Sequence, residues 1–322
     1  MAQDIDKIDR RILFELDKNA RIPETQLAKK LNRSKESIRY RIKKLTEDGI
    51  ILQFTTWIDP TKLGWQTAKV YLKLANIPQK KKQFIEYVKK DKRLFWLGIA
   101  DGAWNAGLTF FVKDNREFFN LKNEIFSKFK DLILESWTAS LVSVHYSERT
   151  FLHNSNSAWS SMFDKPDKIQ LDNISIKILK ELLKNSRASV VSIADKYKTS
   201  VDIIRNRIKK MEEQKIINRY TISTDYQLLG YEFYKTFLFF KNLTEEDLES
   251  LMSYCEKSQN IIHLVKQISP WDIELEIMCK SYEEYNKIIS DVTEKFAHTI
   301  QKIETAIMSE DYVFPSKKFV FE

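Results

Sequence analysis

The sequence predicts an α+β protein in which one two-domain unit occurs twice: a winged helix-turn-helix domain, then a βαββαβ sheet domain. Three observations predict it. The first is the stretch Ser34 to Leu45. Its apolar residues Ile38, Ile42 and Leu45 fall on one helical face, among Lys35, Arg39, Tyr40, Arg41, Lys43 and Lys44. The second is the alternation of strand and helix signals that follows. The third is a repeat. A displacement of 166 residues carries Ser34 onto Ser200, Ile38 onto Ile204, Arg39 onto Arg205, Arg41 onto Arg207 and Ile42 onto Ile208. It holds without a gap from Asp6/Asp172 to Gly64/Gly230, too long a period for a solenoid.

Each element has a local reason. Ile8, Ile12, Leu13 and Leu16 mark a first helix, which Asp6 can cap with Asp9 three residues on. Leu27, Ala28 and Leu31 mark a short second helix, and Asn32-Arg33 a turn. The basic third helix has Ser34 as its N-cap and stops at Gly49, where a left-handed residue is needed. Its counterpart in the second copy is Lys215, which either lets the helix run on or strains that cap. A helix that buries a narrow stripe and presents cations can lie in a major groove. Strand signals follow at 51–58, 67–75, 94–100, 104–112 and 134–146, with helices at 79–89 and 115–129. From residue 67 the order is the split-βαβ, ferredoxin-like plan, with both helices on one sheet face. The other face carries Tyr71, Phe95 or Trp96, Phe110 or Phe111, and Val142 or Val144. That is too apolar for water and predicts pairing with a second sheet.

The expected domains are 1–60 and 170–226 (helix-turn-helix), 61–153 and 227–322 (sheet), with a linker at 154–169 rich in Asn, Ser, Asp and Pro. Thr150-Phe151-Leu152 is expected to add an edge strand, with Lys318-Phe319-Val320 as its counterpart. A net charge of +8 and a pI near 9.1 favour an anionic partner. The N-terminus is too charged for a signal peptide, and no apolar run reaches membrane-spanning length, so a cytoplasmic protein without a membrane partner is expected. Cys255 and Cys279 read as core residues of a reducing compartment. Cysteine and histidine spacing offers no metal site, and no cofactor is expected.

Asp6, Asp9, Ile12-Leu13, Leu16, Asn19 and Arg21, then Leu27-Ala28, Leu31, Ser34, Ile38, Arg41-Ile42, Leu45 and Gly49-Ile50-Ile51, closing on Asp59 and Leu63-Gly64, resemble the Lrp/AsnC (feast/famine) transcription regulators. The resemblance spans nearly the whole chain, twice. It implies double-stranded DNA as partner and a ligand-sensing, oligomerising sheet domain. It also implies an intramolecular pseudo-dimer of the two halves, a swapped dimer of two chains, or a higher homo-oligomer. The groove-facing candidates are Ser34, Lys35, Glu36, Arg39, Tyr40 and Lys43, with Arg41 reaching a phosphate or anchoring the helix. In the second copy they are Ser200, Val201, Asp202, Arg205, Asn206 and Lys209, with Arg207 matching Arg41. Arg39 is the best base reader, because its fork can grip guanine in two places. Lys35 becomes Val201 and Tyr40 becomes Asn206, so unlike half-sites are expected. The family's amino-acid effector turn corresponds to Gly102-Ala103-Trp104-Asn105 and to Ser269-Pro270-Trp271-Asp272. Gly102, Asn105 and Asp272 are the residues that keep its pattern.

Two alternatives remain. Sirohaem decarboxylases resemble the same family, with histidine and arginine motifs near the sheet domain; here 94–105 contains no histidine and His263 is the sole candidate. No other catalytic motif is visible, so the chain is expected not to be an enzyme. The other alternative is an architectural protein that binds DNA with little sequence preference.

Overall fold

The computed structural model describes residues 5–153 and 159–314. The first copy contains α1 (Lys7–Lys18), α2 (Glu24–Leu31), α3 (Lys35–Glu47), β1 (Ile51–Ile58), β2 (Gln66–Leu74), α4 (Pro78–Val88), β3 (Leu94–Gly102), β4 (Ala106–Val112), α5 (Asn115–Lys128), β5 (Ile133–Tyr146) and β6 (Ser160–Met162). The second contains α6 (Asn173–Lys184), α7 (Val190–Tyr197), α8 (Val201–Glu213), β7 (Ile217–Thr224), β8 (Glu232–Phe240), α9 (Glu245–Lys257), β9 (Ile261–Ile268), β10 (Ile273–Cys279), α10 (Tyr282–Lys295) and β11 (Ile300–Val313). The α+β class and the duplicated order follow the sequence. The grouping cuts across it: both helix-turn-helix domains form one compact unit and both sheets another.

In the helical unit the sequence signals act as expected. Asp6 and Asp9 form a reciprocal capping box on α1, and Asp172 caps α6. Ile12, Leu13 and Leu16 from α1, and Ile178, Leu179 and Leu182 from α6, are fully buried. β1 and β7 pair antiparallel, with Thr55 opposite Thr221, its own counterpart in the repeat. A pseudo-twofold axis therefore passes through that pair. The exchange is reciprocal: Ala20 N donates to Tyr220 O at 2.9 Å, and Ser186 N to Phe54 O at 3.0 Å. On one side only, the buried Asp17 carboxylate accepts from Thr221 Oγ1 at 2.7 Å and from Arg149 N at 3.0 Å. It also meets Arg219 at 3.0 Å.

In the sheet unit each half is an antiparallel sheet of order β5-β2-β4-β3 or β11-β8-β10-β9. β3 pairs with β11 and β5 with β9, so the two sheets join at both edges into an eight-stranded ring, to which β6 adds an edge. The helices cover the outer face of each sheet through Val70, Leu72, Leu97 and Leu108 on one half and Leu264, Leu275 and Ile277 on the other. The inner face carries Tyr71, Trp96 and Phe111 of the expected apolar set. It also carries charge, which the sequence reading missed. Glu274, fully buried, accepts from Lys235 Nζ at 2.7 Å, Lys69 Nζ at 3.1 Å and Tyr71 OH at 2.6 Å. Glu276 meets Lys235 and His263. Burial alone would raise Glu274, but the Lys235 and Lys69 charges outweigh it and hold the carboxylate ionised.

Two boundaries are corrected. Thr150–Leu152 is one 3-10 turn, not an edge strand. Ser160–Met162 takes the edge of β5 instead. The expected counterpart at 318–320 lies outside the described residues. Residues 159–168, assigned to the linker from composition, pack with the sheet unit, where Asp167 N donates to Thr61 O at 2.9 Å. Cys255 and Cys279 are buried free thiols, and burial pushes Cys279 up to about 12. Among the described residues no helix is long and apolar enough to cross a membrane.

α8 does stop where α3 does, and Lys215 takes the strained left-handed position at φ +57° that Gly49 takes at +76°. Lys215→Gly should therefore stabilise the helical unit by ~1 kcal/mol, raising its thermal midpoint by roughly 2–4 °C. Gly49→Ala should lower it; circular dichroism melts check both. Burial raises Asp17, but Arg219 and Arg149 outweigh it and hold its carboxyl below the usual range. A folded value below the unfolded one gives stability that is full above the unfolded pKa of about 3.9 and lost as pH falls through the folded value. Acid titration of the wild type should show this loss below about pH 4, and Asp17→Asn should lack it.

Candidate nucleic-acid interface

α3 and α8 are built alike. Ser34 Oγ accepts from Ser37 N at 3.1 Å, and Ser200 Oγ from Ile203 N at 3.2 Å. These caps satisfy one of the backbone donors left free at each helix start. Ile38, Ile42 and Leu45, and Ile204, Ile208 and Met211, face inward. The preceding turn needs a left-handed residue, Asn32 at φ +53° and Lys198 at +51°. That geometry places the start of each basic helix at the end of a short helix, α2 or α7.

The outward face of α3 carries Lys35, Glu36, Arg39, Tyr40, Lys43 and Lys44, all exposed; Tyr40 is 66% exposed, unusual for a large aromatic. Arg39 Nε lies 3.0 Å from Glu24 and Lys43 3.5 Å from Glu47. Such exposed pairs are worth about 0–1 kcal/mol, so both cations remain available to a stronger anion. On α8, Asp202, Arg205, Asn206 and Lys209 are exposed. Arg205 pairs with Asp202 at 2.7 Å and Lys209 with Glu213 at 3.7 Å.

Arg41 differs from its neighbours. Its Nη1 meets Asp6 at 2.7 Å and Asp9 at 2.8 Å, clamping α3 to the capping box of α1. Burial would raise Asp6, but its backbone bond to Asp9 and the Arg41 guanidinium hold it down. Arg207 makes the matching bond to Asp172 at 2.6 Å. Of the two roles open to Arg41, the geometry is that of an anchor. The sequence reading passed over Ile203, which is exposed on the outer face one helical turn before Asn206 and Arg207. Its signal was an apolar residue just outside the buried stripe.

The effector-turn residues fall in two places. Gly102 and Asn105 share the turn between β3 and β4, and Asp272 lies in the turn between β9 and β10. Gly102 has φ +117°, and a Cβ there would come within 2.4 Å of Thr305 O. Asn105 Oδ1 accepts from Leu74 N at 3.0 Å. Asp272 is exposed, and partial burial still pushes its carboxyl up. Trp104 and Trp271 are buried against Tyr71, and among the described residues their Nε1 donors have no partner.

Comparison with known proteins bears on this geometry. Residues 5–51 match a winged helix-turn-helix DNA-binding model, and residues 171–212 an AsnC-type helix-turn-helix domain. An uncharacterised helix-turn-helix transcriptional regulator of Pyrococcus horikoshii is 30% identical over 141 residues, 44% of this chain and 88% of the relative. The regulator LrpA of the same organism is 40% identical over 92 residues, 27% of this chain and 64% of the relative. Along its length the chain also matches the crystal structure of the siroheme decarboxylase NirDL, with a TM-score of 0.64 and 14% identity, covering 95% of this chain and 92% of that one. That finding corrects the expectation that the chain is not an enzyme. An enzyme has this whole two-copy architecture, so the missing catalytic motifs exclude nothing. At this identity the likeness shows the fold alone.

The Arg41 clamp gives a test. Arg41→Ala should lower the thermal stability of the helical unit by about 1 kcal/mol, whereas Arg39→Ala should change it by less than about 0.5 kcal/mol. Differential scanning calorimetry of both variants distinguishes an anchor from a free cation.

Proposed function

This chain belongs to the Lrp/AsnC family of DNA-binding transcriptional regulators, and from that premise we propose that α3 and α8 read two unlike half-sites of one duplex. The observation that carries the reading is the β1–β7 ribbon, which ties two capped, cation-bearing helices into one unit about a pseudo-twofold axis. Ser34, Lys35, Glu36, Arg39, Tyr40 and Lys43 meet one major groove. Ser200, Asp202, Arg205, Asn206 and Lys209 meet the next, and Ile203 suits a thymine methyl. Arg41 and Arg207 hold the helices in place. A cytoplasmic location and an amino-acid effector at the turns of Gly102, Asn105 and Asp272 belong to the same reading. Calorimetric titration with an amino-acid panel tests the effector, and heat that survives Asp272→Ala would remove that residue from it.

A second reading has its own observation, the whole-chain likeness to a decarboxylase also solved with an iron-uroporphyrin III analogue. Here Lys69, Lys235 and His263 would be the groups that meet an anionic tetrapyrrole. Absorbance titration with an iron tetrapyrrole tests it: a spectral shift lost in His263→Ala supports it, and an unchanged spectrum dismisses it.

For the regulator, genomic fragments selected with purified protein should share a site that is not a clean palindrome. A symmetric preferred site would contradict the proposal, and a specificity ratio near one at physiological salt would mark an architectural protein. Arg39→Ala should cost roughly 1–3 kcal/mol of base discrimination. Lys43→Ala should leave sequence preference alone and reduce the salt slope of binding by about 1.

A further inference from the structure

The two halves are equivalent in fold but not in buried charge. Residues correspond at a displacement of 166 up to β2/β8 and of 167 from β3/β9 onward, as Leu94/Ile261 and Ala106/Ile273 show. The ladders agree: Tyr71 faces Gly107 across β2–β4, and Phe237 faces Glu274 across β8–β10. On this alignment Asp17 of the first copy matches Leu183, and Arg219 of the second matches Gln53. Glu274 and Glu276 match Gly107 and Thr109, whereas Lys69 and Lys235 match one another.

The cross-half hydrogen bonds and ion pairs that these charges make join unlike partners, while the matched Lys69 and Lys235 repel one another. In the helical unit Asp17 of copy one meets Arg219 and Thr221 of copy two. In the sheet unit Lys69 and Tyr71 of copy one meet Glu274 of copy two. Trp96 Nε1 of copy one donates to Asp311 Oδ1 of copy two at 2.6 Å, and its ring lies 4.5 Å from Lys235 Nζ. The Trp96 indole fits because Gly107 leaves room: a Cβ there would come within 2.6 Å of the ring. The matching position in copy two is Glu274.

Like-with-like pairing breaks these balances. Two first copies would bury Lys69 twice without Glu274 or Glu276, and would set Asp17 against Gln53. Two second copies would bury four carboxylates around two lysines, and would set Arg219 against Leu183. A buried charge without its partner is strongly unfavourable. Two separate units therefore select the same pairing, by unpaired charge in the alternatives as well as by attraction in the observed one.

We propose that the two halves are non-interchangeable partners, so that each half's pairing surfaces accept only the opposite half, from the same chain or reciprocally from a second copy of this chain. Neither surface fits its own kind. The basic helices α3 and α8 are then always presented together, whatever they bind.

The test uses the full chain with a protease site inserted at 154–158, cleaved after purification, unfolded in urea and refolded as a mixture. Native mass spectrometry then counts the pairs. Unlike pairs should exceed like pairs by about tenfold or more. A statistical mixture, with about half the pairs unlike, would overturn the proposal. A second measurement on the uncleaved chain covers a failure to refold. Arg219→Gln should lower the melting temperature, and Asp17→Leu combined with Arg219→Gln, which recreates the neutral Leu183–Gln53 side of the axis, should recover most of the loss. Additive losses would also overturn it.

Discussion

Pairing of the two halves, strand against strand, is the constraint on which the rest of this structure depends. A single βαββαβ sheet would leave Tyr71, Trp96 and Phe111, or Phe237 and Trp271, facing water on the side its helices do not cover. Joining β3 to β11 and β5 to β9 removes both open edges and encloses that face. Enclosure changes the chemistry available inside. Lys69 and Lys235 can be buried because Glu274 supplies a counter-charge to both, and Tyr71 donates to Glu274 as well. The same logic operates in the helical unit, where β1 and β7 pair and Asp17 is satisfied by Thr221, Arg219 and Arg149.

Most of this fold was legible because most of its causes are local. Caps at Asp6, Ser34, Asp172, Ser189 and Ser200 are written within a few residues of the helices they start, and the buried stripes of α3 and α8 follow a period that can be counted. The repeat revealed the rest, since two weak copies of one pattern reinforce each other. Asp17 and Arg219, or Tyr71 and Glu274, lie some two hundred residues apart, and nothing local announces that they meet. Glu274 and Glu276 alternate with Ile273, Leu275 and Ile277, a pattern that ordinarily marks a solvent face. Here that face points into the ring. A sharper signal was the lysine repeated at Lys69 and Lys235, each next to apolar residues near the middle of its strand.

The candidate interface was legible in its residue types but not in its division of labour. Arg39 and Arg41 look alike in sequence, yet one is outward with a weak partner and the other clamps α1 to α3 through two carboxylates. A clamp of this kind is the rigid support that a base-reading side chain needs, since a loose helix gives no fixed hydrogen-bond geometry. The differences between the copies then acquire a physical sense. The serine caps and buried stripes of α3 and α8, and an arginine bound to the cap residue of the first helix, recur in both copies, whereas the tips Lys35/Val201 and Tyr40/Asn206 differ.

Under the proposed half-site reading, two unlike helices reach one duplex from one body. This can be tested by placing a DNA-cleaving probe on a single introduced cysteine, Tyr40→Cys or Asn206→Cys; the native Cys255 and Cys279 are buried and leave the surface clear for labelling. Each probe should cut its own position on a selected fragment, the two separated by about 10–10.5 base pairs or a multiple, always in the same order. Cuts from both probes at identical positions, or in both orders equally, would contradict it.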